Sequence, residues 1–185
     1  HEYGADDGKG LVTVLQQMLM QGGLSPYATM RDVHRFLRID LAILTTNLSR
    51  QCSETITAKT HPDTLVTDAI LASCAIPLIF RPVKLNGELH ADGYLTCSLP
   101  HVFPVEHTLF LKVQQRDCVQ VTSWLSYING IVSSISAGQR IEDVLGKDAR
   151  LIELRTCHPV FQFAYRRSDL SAIADAIIQR FAPQG

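Results

Sequence analysis

The residues best placed to do chemistry lie between Thr67 and Pro100. Val83, Leu85, Leu89 and Ala91 alternate with polar neighbours about Asn86-Gly87. That dipeptide readily supplies the two positive-φ positions of a type I′ turn, so a β-hairpin is predicted. Its second strand runs into Asp92-Gly93. A carboxylate is thereby held at the end of a rigid strand, and Gly93 removes the Cβ that would hinder a left-handed turn or a close approach. A carboxylate so placed is a candidate catalytic group on a rigid support. Asp-Gly after a strand is also ordinary turn chemistry, and the residues around it decide between the two readings.

Other candidates are weaker. His90 lies two residues before Asp92 and would share its strand face, the geometry of a weak metal pair, but two ligands without a third do not make a metal site. Ser73 closes a predicted helix without flanking glycines, and Ser25 in Gly23-Leu24-Ser25-Pro26 lacks them too, so neither fits a nucleophile elbow. Gly4 and Gly8 are the only glycines four apart, and Asp6, not serine, stands between them. None of the seven histidines has a required role, and His101 and His107 flank a proline-containing loop expected to be exposed.

Ala72-Ser73-Cys74-Ala75-Ile76-Pro77, then Phe80, Asp92-Gly93 and Pro100, resemble in order and spacing the second conserved block of patatin-like phospholipases. The resemblance implies a three-layer α/β/α fold with a central, mostly parallel sheet. It also implies hydrolysis of lipid acyl esters by a Ser-Asp dyad, the serine on a Gly-x-Ser-x-Gly elbow and the aspartate opening an Asp-Gly-Gly or Asp-Gly-Ala motif. Asp92 inherits the base role by that resemblance, with Ser73, Pro77, Gly93 and Tyr94 as supporting motif positions. Ser73 is structural in this family. Tyr94 occupies the place where the family usually carries Gly or Ala, and Ser98 the place where Asn commonly precedes the final proline. The elbow and the glycine-rich oxyanion loop that precedes it do not occur in these residues. The resemblance therefore covers a single partial domain, 1–185, expected to be incomplete on its N-terminal side. It implies a phospholipid or other acyl ester at a membrane surface as substrate, with a preceding segment or a protein partner completing the domain. The alternative is a catalytically inactive relative that serves as a binding or structural component of an assembly.

Composition narrows the rest. With 185 residues and 46% hydrophobic content the chain can bury one sizeable core. A net charge of −1 with interspersed signs argues against nucleic acid as a partner. Five cysteines, at 52, 74, 97, 118 and 157, form no Cys-x-x-Cys pair, so neither zinc nor a disulfide framework is suggested and a reducing compartment fits. No apolar run reaches the roughly 20 residues of a membrane span. No signal-like segment opens the sequence, and a cytoplasmic protein, peripheral at membranes, is expected. No cofactor is implied.

The positioning elements follow from periodicity. Leu11, Val14, Leu15, Met18 and Leu19 predict a helix stopped by Gly22-Gly23, and Met18, Met20 and Met30 are read as core rather than as a lipid-facing surface. Residues 41–46 and 55–59 predict two strands separated by polar turn chemistry over 47–51, which form a hairpin or enter a neighbouring strand, and residues 65–72 a short buried helix begun by His61-Pro62-Asp63, with Asp63 as N-cap. Beyond Pro100, a loop is expected over 104–107, then a strand carrying Leu109, Leu111 and Val113, with Phe110 on its other face. A helix from near Ser123 through Ile135 follows, with Gly138 read as its break before a further turn over 141–145. A strand around Ile152 and Leu154 precedes an amphipathic helix from Leu170 to Phe181, capped by Ser168 or Asp169 and followed by Pro183.

Overall fold

The computed structural model describes residues 3–96, 109–115, 123–137 and 150–156. The chain divides into two compact units, 1–103 with 135–141, and 104–134 with 142–185.

In the first unit, β1 (Gly4–Asp6) leads through Gly8, at φ +72, into α1 (Lys9–Gln21). This helix ends at Gly22-Gly23 as predicted, with backbone bonds from Gly22 to Met18 and from Gly23 to Met20. Its methionines correct the core reading: Met18 and Met20 stand exposed while Met30 is buried. Met30 opens α2 (Met30–Leu37), a helix the periodicity did not disclose. A capping box starts it, the Thr29 hydroxyl accepting from Asp32 N and the Asp32 carboxylate accepting from Thr29 N.

The main sheet has four strands in the order β3-β2-β6-β5, all antiparallel: β2 (Ala42–Asn47), β3 (Cys52–Thr57), β5 (Val83–Leu85) and β6 (Glu88–Asp92). β2 and β3 form the expected hairpin, its turn tightened where the Asn47 side chain accepts from Arg50 N at 3.0 Å. The second hairpin is as predicted: Leu85 pairs with Glu88, and Asn86 and Gly87 sit at φ 49 and 91. Beneath the sheet runs α3 (Val66–Ser73), whose Val66, Ala69 and Ala72 join Met30, Ile43 and Ile56 in the core.

Asp63 is not the cap of α3. Leu65 holds that position without a side-chain bond, and the Val66 amide is satisfied by the Ala28 carbonyl at 3.0 Å. A neighbouring segment thus supplies the acceptor a cap would have provided. Asp63 pairs instead with Arg31 at 3.0 Å. After α3, β4 (Leu78–Phe80) lies parallel to β1, with Gly4 opposite Leu78.

In the second unit β7 (Leu109–Gln115) and β8 (Arg150–Thr156) pair in parallel from Leu109↔Arg150 to Gln115↔Thr156. A parallel pair needs a crossover. The stretch between them includes α4 (Trp124–Ala137), which Ser123 caps as expected, accepting from Ser126 N at 3.2 Å. The α/β class read from the sequence is observed. The readings for 104–107, 138–145 and 168–183, and for Ser98, Pro100, His101, His107, Cys97, Cys118 and Cys157, lie outside the described residues.

Candidate active site

Asp92 is the last residue of β6 and caps the 3₁₀ turn Gly93–Leu95. Two backbone ties hold it, and a hydroxyl pair braces one of them. Its amide donates to the Ala75 carbonyl at 3.0 Å, its carbonyl accepts from the Thr46 hydroxyl at 2.8 Å, and the Thr96 hydroxyl meets Thr46 at 2.8 Å. The strand end is therefore pinned both to β2 and to the segment that follows α3.

The carboxylate itself is half-buried. Oδ1 accepts from Tyr94 N at 2.8 Å, and among the described residues no cation or hydroxyl pairs with Oδ2. Burial raises the Asp92 pKa above the ordinary 3.8, and the Tyr94 amide opposes that rise only in part. The folded protein consequently holds this proton more tightly than the unfolded chain. Stability falls as pH rises from the ordinary carboxyl range through the raised value, because folding then buries a charge. Asp92→Asn is expected to melt at a higher temperature than wild type at neutral pH. The difference should vanish in melting curves recorded at about pH 3, where both forms are neutral.

Two of the supporting residues, Ser73 and Gly93, meet at one carbonyl. The Ser73 hydroxyl donates to Leu44 O at 2.7 Å, fastening the end of α3 to β2. Gly93 is buried against the same Leu44 peptide, and a Cβ there would run into Leu44 O and come within 2.7 Å of Leu44 C. Close approach is what requires glycine here. Ser73→Ala should lower stability by about 1 kcal/mol in urea unfolding and leave labelling by a fluorophosphonate probe unchanged. Lost labelling would make Ser73 a nucleophile.

Ala75 and Ala91, neighbours of Asp92 through its amide, help to line an apolar cavity of about 380 Å³ with Pro77, Phe80, Leu48 and Leu89. Tyr94 does not line it, and the tyrosine ring stands 45% exposed. Cys74 is partly open to solvent but crowded, and burial raises its thiol pKa, with the Asp92 charge pushing it the same way. His90 shares a strand with Asp92 but bonds elsewhere: its Nδ1 lies 3.0 Å from the Thr45 hydroxyl. Among the described residues no helix is long and apolar enough to cross a membrane.

Asp92 itself does not line the apolar cavity; the fold and site define an α/β protein that presents a half-buried carboxylate from a strand end. The family model for patatin-like phospholipases matches residues 3–105, and the chain belongs to that family. No curated protein matches it significantly. Among solved structures, VipD from Legionella pneumophila is similar at a TM-score of 0.52 and 16% identity, over 82% of this chain and 36% of that one. The chain spans about a third of VipD's length, and the likeness is one of fold.

Proposed function

We propose that this chain is the later part of a lipid acyl hydrolase of phospholipase A type, acting on phospholipid or another acyl ester at a membrane surface from the cytoplasmic side. Asp92 is the general base of a Ser-Asp dyad, and its serine lies on a Gly-x-Ser-x-Gly elbow in a segment that precedes these residues and completes the domain. Asp92 takes the serine hydroxyl proton as the oxygen attacks the acyl carbonyl, backbone amides stabilise the oxyanion, and water then releases the acyl-enzyme. The observation that carries this reading is the Asp92 carboxylate. One of its oxygens is held by Tyr94 N, the other has no described partner, and the pKa is raised by burial, as a base working above the ordinary carboxyl range requires.

Release of fatty acid from phosphatidylcholine vesicles tests it. A protein extended upstream should hydrolyse them and the 185 residues alone should not. Turnover by the 185 residues that Asp92→Ala abolishes would overturn the placement of the nucleophile. One observation favours a second reading, an inactive relative serving as a binding component: Tyr94 replaces the small residue beside the base. Activity of the extended protein excludes it.

A further inference from the structure

We propose that Glu54, Glu88 and His90 form a binding site for one divalent metal ion, of the zinc or manganese class, that bridges β3 and β6 across the intervening β2. The inference does not depend on the hydrolase reading. Antiparallel register brings the residues to one face, since Thr45 lies opposite Glu54 and Asn47 opposite His90. The buried Asn47 amide donates to Oε2 of both Glu54 and Glu88, each at 2.7 Å, drawing carboxylates from two different strands to a single group. One ligand atom from each of Glu54, Glu88 and His90 falls within 4.8 Å of the others.

The imidazole shows what belongs between them. His90 is only 1% exposed. The Thr45 hydroxyl donates to the Glu54 carbonyl at 3.2 Å and so accepts from His90 Nδ1 at 3.0 Å. In that arrangement Nδ1 carries the proton, as an outer partner commonly arranges for a ligating histidine, and Nε2 faces Glu54 Oε2 at 3.8 Å. A divalent cation placed at this point would be shared by the Nε2 lone pair and the two carboxylates. Arg50 does not fill that place, because its Nε sits on the outer oxygen of Glu88 at 2.8 Å and its side chain is 61% exposed. His61 Nε2 lies 3.4 Å from the other oxygen of Glu54 and is not part of the converging group. One imidazole with two carboxylates suits zinc or manganese, whereas calcium prefers an all-oxygen shell.

The test uses the full chain. Nitrogen NMR of the histidine rings should find His90 as the neutral Nδ1–H tautomer at neutral pH, with its Nε2 resonance shifting on addition of one equivalent of Zn²⁺. Competition against a chromophoric chelator should give one site whose affinity drops at least roughly 10-fold in Glu54→Gln and in His90→Gln. His34→Gln, which alters a histidine paired with Asp40, should leave that site unchanged. An imidazolium at His90, an Nε2 resonance indifferent to Zn²⁺, or equal affinity in wild type and Glu54→Gln overturns the proposal. The NMR arm reads wild-type protein, so it decides the matter even if a variant fails to fold.

Discussion

Gly93→Ala is expected to lower stability by about 3 kcal/mol, the upper end of the range for inserting atoms into a packed interior. The reason is what the new methyl would meet. Its neighbours are the carbonyl oxygen and carbon of Leu44, and a peptide in the middle of a sheet cannot swing aside as a side chain can. Leu44 is paired with Thr55 on β3, and its oxygen already accepts from Ser73, so any shift of that peptide disturbs three elements together. Gly87→Ala provides the contrast. It stands in open space, so only the strain of a side chain at φ +91 applies, worth roughly 1 kcal/mol. Urea unfolding of the two variants should rank them in that order, and a Gly93 variant within about 0.5 kcal/mol of wild type would show that the Asp92 turn is not wedged against β2.

Asp92→Asn is expected to reduce hydrolysis by roughly 10²- to 10⁴-fold, the usual range for removing a general base, while leaving the fold intact or firmer. The amide oxygen still accepts from Tyr94 N, so the turn persists, but it cannot take a proton. Because burial raises the Asp92 pKa, the acid limb of kcat/KM in the wild type should lie above the ordinary carboxylate range of about 3.8. On the proposed reading, ionisation of Asp92 lowers stability and enables the base to act, and the asparagine variant should gain the one as it loses the other.

Much of the region around Asp92 was legible in the sequence because its signals are local. Asn86-Gly87 demands positive φ at adjacent positions, and apolar alternation on either side sets the register from Leu85↔Glu88 outward. The short helix over 66–73 and the strand over 42–47 announced themselves in the same way. What escaped depends on partners far away in the chain. β1 and β4 are three residues each and exist because Gly4 meets Leu78, which no window of sequence displays. Asp63 looked like a cap, but the Ala28 carbonyl had taken the bond. The α2 start did carry a readable signal, Thr29 with Asp32 three residues on, that apolar periodicity alone passed over.

The Glu54, Glu88 and His90 cluster shows the same division. Glu88-Leu89-His90 places two of its members on one strand face, a pattern present in the sequence. The third member arrives only through the β2–β3 register, so His90 paired with Asp92 looked like a metal pair lacking a ligand. The base role proposed for Asp92 came from order and spacing within the motif, and the structure places that carboxylate in a half-buried environment.

The most direct test is fatty-acid release from phospholipid vesicles by a protein that includes the segment preceding these residues, measured with Asp92 and with asparagine in its place. The account predicts that the substitution removes at least 99% of the turnover, on the order expected for a lost base, while the melting temperature at neutral pH stays level or rises. Equal turnover by the two proteins would contradict it.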